Sequence, residues 1–359
     1  MLKKVLAMKT SSEALTKMAE QALEACLLKV PFLRIKEMRR EPGGGQIGPD
    51  LLLKLVLPDG EVDLLIEVKA NGQPRFARQA VNELLRYRNS FPKSHGVFMA
   101  PYISLKAAEI CTQEDIGYID LSGNCRLSFG RVYIEQEGKP NIFAKKRDLR
   151  SLYSPRAERI LRVLLNNSRR AWKVAELADA AQVSLGQSSN VKKLLMDREW
   201  IQSEEDGFVL VEPDQLLREW AQNYSFRRNH VEDFYSLKNV AEIESVLGEA
   251  CDRKGLKYAM TGFSGASRLA PAVRYQRAMA YVEETGENLV SVLGFKKVSS
   301  GANLSILTPY DEGVLYGSHR IDNVQIASPV QIYLDLSAFR GRGEEAARVL
   351  LDQLIRPQW

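Results

Sequence analysis

The chain has 359 residues, 45% of them apolar and 26% charged, with a formal net charge of +5. That length exceeds one ordinary core and predicts two or three domains, and the balance excludes a chain disordered throughout. No apolar run reaches the ~18 residues of a membrane span, and Met1–Thr10 carries neither a long apolar stretch nor a small-residue cleavage site, so a cytoplasmic protein with no membrane partner is expected.

The four cysteines, Cys26, Cys111, Cys125 and Cys251, are scattered without a CxxC and read as reduced, buried thiols. His95, His230 and His319 lack zinc spacing. Positive charge is concentrated early. Residues 1–150 hold 24 Lys+Arg against 18 Asp+Glu, while the remainder is close to neutral, which points to a polyanionic partner or simply to a solubility charge.

In chain order, the apolar spacing predicts a helix over Ser12–Lys29, with Leu15, Met18, Ala22 and Leu23 on one face. Leu51–Leu57 and Val62–Val68 read as strands of a hairpin joined by Pro58-Asp59-Gly60. A helix over Phe76–Arg88 follows, then a strand at Val97–Ala100, a helix at Leu105–Gln113, and strands at Tyr118–Asp120 and Arg126–Glu135. This order predicts an α/β domain with a central mixed sheet to about residue 145. Pro42-Gly43-Gly44-Gly45 lacks a following Gly-Lys-Ser/Thr and reads as a loop beside the hairpin, not a phosphate cradle. A basic linker with Lys145, Lys146, Arg147 and Arg150 leads to the next segment.

The chemistry is carried by Pro49-Asp50, the hairpin, and Glu67-Val68-Lys69 at its end. Side chains alternate along a strand, so Glu67 and Lys69 share one face while Leu64, Ile66 and Val68 take the other. The hairpin can set Asp50 opposite Glu67. Two carboxylates suit Mg²⁺ or Mn²⁺, which keep several waters. On this reading Asp50, Glu67 and the main-chain carbonyl of Val68 are metal ligands. Lys69 orients or deprotonates the attacking water, or stabilises charge on the phosphate. The plain alternative is a cross-face Glu67–Lys69 ion pair. The whole arrangement, a helix, an Asp before a hairpin, Glu-x-Lys at its end and a second helix, resembles the PD-(D/E)xK restriction-endonuclease-like superfamily over about residues 12–135. The resemblance implies a DNA partner and a first-helix carboxylate, here Glu24, at the metal. Gln79, Asn82 and Glu83 share a face of the second helix, with Tyr87 farther along than the superfamily's usual spacing. Arg75 and Arg78 are positioned to meet phosphates.

Residues 155–224 predict a winged helix-turn-helix: helices over Pro155–Leu165, Lys173–Ala180 and Gly186–Asp197, then a hairpin of Trp200-Ile201 and Phe208–Val211 around the acidic tip Glu204-Glu205-Asp206-Gly207. In that motif the third helix enters the major groove, so Gln187, Ser188, Ser189, Asn190, Lys192 and Lys193 become the DNA readers or phosphate binders. The acidic tip keeps open a protein contact or dimer interface instead.

Beyond it, Leu216, Leu217, Trp220, Tyr224 and Phe226, the stretch Tyr258-Ala259-Met260-Thr261-Gly262-Phe263-Ser264-Gly265, and Ala327-Ser328-Pro329-Val330-Gln331-Ile332-Tyr333-Leu334-Asp335-Leu336 resemble the AbiEi family of type IV antitoxins and related regulators. The resemblance implies a degenerate nucleotidyltransferase-like α/β domain over 231–359, a nucleotidyltransferase-like toxin as partner, and a homodimer. Metal catalysis there would need paired carboxylates on the strand near Ala278–Glu284, but Glu283 and Glu284 are neighbours facing opposite sides. That domain is therefore expected to be a non-catalytic scaffold. Two functions stand side by side: a winged-helix-targeted, metal-dependent DNA nuclease, and a non-catalytic antitoxin-like regulator that binds DNA.

Overall fold

A computed structural model describes residues 12–40, 48–143, 152–283 and 293–359. The glycine loop Pro42–Gly45, the linker residues Lys145, Lys146, Arg147 and Arg150, and Glu284 lie outside them. The chain falls into two units, 1–148 with 197–199, and 149–196 with 200–359.

In the first unit the apolar periodicities become α1 (Ser12–Leu27), β1 (Arg34–Arg40), β2 (Leu51–Leu57), β3 (Gly60–Val68), α2 (Pro74–Arg88), β4 (Ser94–Ala100), α3 (Leu105–Gln113), β5 (Gly117–Asp120), β6 (Cys125–Phe129) and β7 (Val132–Gln136). The strands form one mixed sheet in chain order. β2–β3 is the expected antiparallel hairpin, with Leu51 opposite Ile66. β3–β4 and β4–β5 are parallel, and α2 and α3 are their crossovers. Helices on both faces bury the central strands on both sides. Leu53, Leu55, Leu64 and Ile66 join Leu23 and Leu27 of α1 on one face. Leu52 and Leu65 join Ala77, Val81 and Leu84 of α2 on the other. Cys26 and Cys125 meet in the first of these cores, Sγ to Sγ 3.5 Å.

β1 is an element the apolar pattern does not announce. Its sequence, Arg-Ile-Lys-Glu-Met-Arg-Arg, is mostly charged, and its register with β2 shifts between Ile35 and Glu37. Charge and a bulge are what an edge strand needs to resist pairing with another chain. The expected single strand at Arg126–Glu135 is instead the hairpin β6–β7, because Gly130 takes a positive φ of 54° at the turn.

The second unit opens with α4 (Pro155–Asn166), α5 (Val174–Ala180), α6 (Leu185–Asp197) and the two-stranded β8 (Ile201–Glu204) and β9 (Gly207–Leu210). After α7 (Pro213–Asn223) come β10 (His230–Tyr235), α8 (Val240–Lys254), β11 (Tyr258–Met260), α9 (Gly262–Leu269), β12 (Ala278–Val282), β13 (Lys296–Lys297), β14 (Leu304–Thr308), β15 (His319–Ile321), β16 (Val324–Ile326), α10 (Pro329–Ser337) and α11 (Arg342–Leu350). These strands make a second mixed sheet, ordered β13-β10-β14-β12-β11-β16-β15. One continuous core runs from Ile160 and Leu164 of α4 through Trp200, Phe208 and Trp220 to Ile332 and Leu336 of α10. No helix among the described residues is long and apolar enough to cross a membrane.

Candidate functional site

Asp50, Glu67 and Lys69 come together at the end of the β2–β3 hairpin. Asp50 stands one residue beyond the Leu51–Ile66 pair, which sets it across from Glu67. Its Oδ2 accepts a hydrogen bond from the Val68 N–H at 2.7 Å, so the backbone of the same motif fixes the carboxylate. Past Lys69 the chain turns into α2, started by Pro74 at a position where a missing N–H costs nothing. Gly72 makes that turn possible: a Cβ there would lie 2.0 Å from the Tyr102 carbonyl oxygen.

Glu67 is only 5% exposed. The Lys69 Nζ donates to Glu67 Oε1 at 2.6 Å and to Glu83 Oε2 of α2 at 2.6 Å, and Gln79 Nε2 donates to Glu83 Oε1 at 3.1 Å. The other Glu67 oxygen, Oε2, is buried with no hydrogen-bond partner. Burial pushes the Glu67 carboxyl up to about 8, and the Asp50 charge adds to that push against the pull of Lys69. Burial also works against ionised Glu83, but hydrogen bonds from Lys69 and Gln79 prevail and hold it below the usual carboxylate range. Lys69 is desolvated too, yet Glu67 and Glu83 outweigh this and raise its pKa. Of the two carboxyls flanking Lys69, Glu67 therefore holds its proton the more tightly and Glu83 the less. Tyr87 completes the α2 side of the cluster. Burial, then the charges of Glu67 and Glu83, raise its phenol pKa.

Whether these residues fit a divalent cation turns on that orphaned Oε2. A buried carboxylate oxygen without a donor, with a second carboxylate across the hairpin, suits a hard cation that brings its own waters. Among the described residues no three or more His, Cys, Asp or Glu side chains gather as a metal cluster. Glu24 is a correction: it does not join Asp50 and Glu67. α1 turns Ala19, Leu23, Cys26 and Leu27 to the sheet and leaves Glu24 exposed. The carboxylate one turn earlier, Glu20, is the less exposed of the two and is paired with Arg40. Glu83 is the residue to which sequence reasoning assigned no role. Its signal, the face it shares with Gln79, occurs on almost any solvated helix. Arg75 and Arg78 are exposed on the first turns of α2, but within the first unit they pair with Asp197 and Glu199 at 3.5 and 3.0 Å.

On α6, Ser189, Asn190 and Lys193 are exposed, and Gln187 is partly so. Lys192 lies over the Phe208 ring, 5.0 Å from its centroid. Ser188 is a second correction: it is fully buried and its hydroxyl donates to the Val174 carbonyl at 3.0 Å, so it ties α6 to α5 and cannot read DNA.

In the second unit, β11 leads through Thr261 into α9. Thr261, Tyr224, Tyr281 and Gln331 all bond Asp335, and β12, Ala278–Val282, holds no acidic residue.

Comparison with known proteins bears on this half. Residues 209–356 match a family model described as a transcriptional regulator, the AbiEi antitoxin of a type IV toxin–antitoxin system. The AbiEi-matching segment thus begins in β9 and takes in the whole second sheet. No curated protein matches the chain. Solved structures similar to it include the EndoMS–dsDNA2 complex (17% identity, 31% of this chain and 44% of that one, TM-score 0.23) and EndoMS in apo form (19%, 32% and 47%, TM-score 0.22). SfsA of Pyrococcus furiosus in complex with Ca²⁺ is another (18%, 35% and 62%, TM-score 0.17). The chain spans less than half the length of the EndoMS chains. Likeness at these TM-scores carries no weight for function.

Proposed function

We propose that this protein is a DNA-directed nuclease in which the first unit hydrolyses phosphodiesters with Mg²⁺ or Mn²⁺ and the helices α4–α6 with the β8–β9 wing place it on DNA. The observation that carries the reading is the convergence of Asp50, Glu67 and Lys69 around a buried carboxylate oxygen that lacks a partner. Asp50 and Glu67 would hold the cation. When bound, it supplies Lewis-acid activation of the phosphate and lowers the pKa of a water. The rest is done by the chain. The Val68 N–H orients Asp50, and the Glu67 carboxyl gives up its proton as the site is loaded. The Lys69 ammonium remains charged, to orient the nucleophile and to offset negative charge on the phosphate.

The test is cleavage of plasmid and branched DNA with Mg²⁺ or Mn²⁺, wild type beside Glu67→Ala and Lys69→Ala. Cleavage by wild type, absent from both folded variants, is the expected result. Activity that persists in both sinks the assignment.

A second reading is favoured by the family match over 209–356: an antitoxin-type regulator whose first unit grips DNA without cutting it. Tight, salt-sensitive binding with no cleavage by any of the three proteins would establish it. On either reading we infer a nucleotidyltransferase-like toxin as partner of the C-terminal sheet and a homodimeric assembly. Co-purification with the toxin and the mass in solution check these.

A further inference from the structure

Resting on the nuclease reading of the same site, we propose that Glu83 is a positioning residue for Lys69, a second anion that keeps the ammonium in place when Glu67 turns to a divalent cation. Lys69 is mostly buried and divides its three donors between Glu67 Oε1 and Glu83 Oε2, each at 2.6 Å. A cation at the free Glu67 Oε2 draws on the carboxylate that Lys69 holds by Oε1 and repels the ammonium beside it. Were Glu67 its only partner, the ammonium would be left desolvated and unpaired, and the cost would be charged against cation binding. Glu83 removes that cost. It is fixed from behind by Gln79 at 3.1 Å and stands on α2, off the hairpin that carries Asp50 and Glu67. No movement of Lys69 is needed: its hydrogen bond to Glu67 Oε1 weakens and the one to Glu83 stays. The ammonium is then available beside the cation for the phosphate.

Two models compete. Glu83 acts through Lys69, or it acts on the cation directly, by charge or as a ligand. A double-mutant cycle separates them. Mn²⁺ binding to the full-length protein is measured by the electron paramagnetic resonance of the free ion, for wild type, Glu83→Gln, Lys69→Met and Lys69→Met with Glu83→Gln. If Glu83 positions Lys69, Glu83→Gln weakens Mn²⁺ binding about tenfold in the wild-type background, the range usual for groups that orient a metal's ligands, and has no effect once Lys69 is Met. An equal loss in both backgrounds overturns the proposal and makes Glu83 a group that acts on the ion. Gln79→Ala covers a misfolded Glu83→Gln: Gln79 is exposed, so the fold survives its loss, and a smaller weakening that also disappears with Lys69→Met is expected. A Gln79→Ala effect that persists without Lys69 again overturns the proposal. Wild-type protein that binds no Mn²⁺ rejects the nuclease reading itself, whereas a Glu83→Gln effect that is the same with and without Lys69 rejects only the role of Glu83.

Discussion

A carboxyl that is buried, faces another carboxylate and keeps one oxygen without a partner binds its proton tightly, and Glu67 is in that position. The consequence for stability has a definite sign. The folded state retains the proton to about 8, while the unfolded chain releases it near the ordinary carboxylate value. A raised folded pKa contributes stability that is whole below the unfolded pKa and is lost as pH rises through the folded one. In metal-free protein, held with EDTA, unfolding by urea should therefore require less denaturant at about pH 9 than at about pH 5, the reference carboxylate pKa being about 4.3. Glu67→Gln, which cannot ionise, should show a clearly flatter dependence. Identical slopes for the two proteins would place the proton elsewhere. At the same scale, Ser188 and its neighbours on α6 should part company. Ser188→Ala removes a buried hydrogen bond to Val174 and should cost about 1 kcal/mol of stability with no change in DNA affinity. A loss of affinity in a stable Ser188→Ala protein would contradict the buried placement.

Elements show why some of this was legible in the sequence. α2 was, because Ala77, Val81 and Leu84 repeat at helical spacing, and so was the β2–β3 hairpin, because a Pro-Asp-Gly turn separates two apolar runs. The meeting of Asp50 with Glu67 is a consequence of the hairpin register alone. β1 was not legible, since an edge strand protects itself with charge and so erases the alternation that would mark it. Nor was the role of Glu83, which depends on how α2 rolls against β3, a tertiary fact. That Glu24 stays exposed was not legible for the same reason: only packing decides which residues of the polar side of α1 are covered. On α6 the exposed polar run was legible, but not which member faces inward. For that helix, replacing Asn190 and Lys193 together by Ala should weaken DNA binding and lower its salt slope by about 1, the share of one phosphate-contacting lysine. Filter binding across a range of salt concentrations reads both quantities. Unchanged slope and affinity would mean that α6 does not touch DNA, and the acidic wing would then favour a protein partner.

On the scale of the molecule, the helices that precede the wing and the C-terminal sheet belong to one unit, and polar groups inside its core explain why. Glu158 and Arg162 of α4 are both fully buried. Glu158 accepts from Trp220 Nε1 at 3.3 Å, from Arg228 Nη1 at 2.6 Å and from the Tyr310 hydroxyl. Arg162 donates to Gln331 Oε1 at 2.9 and 2.8 Å and lies over the Trp220 ring. Gln331 in turn reaches Tyr224 and Tyr281 at 2.9 and 3.0 Å, and both tyrosines donate to Asp335. The chain of contacts runs from α4 to α7, β12 and α10. Glu158, Arg162, Gln331 and Asp335 are fully buried, so removing one of them strands its partners. Arg162→Met keeps the length of the side chain but leaves Gln331 Oε1 without its donor, while Glu158 keeps Arg228. A cost of about 1 to 3 kcal/mol is expected, the penalty for a buried polar group left unsatisfied. The distribution of that cost is the informative part. If the network makes the unit cooperative, hydrogen exchange in Arg162→Met should accelerate in α4, α7 and α10 together, while β2, β3 and β4 of the first unit keep their protection. Acceleration confined to α4 would mean that the helices before the wing open independently of the C-terminal sheet. A partner bound at that sheet would then have no route through this network to α4.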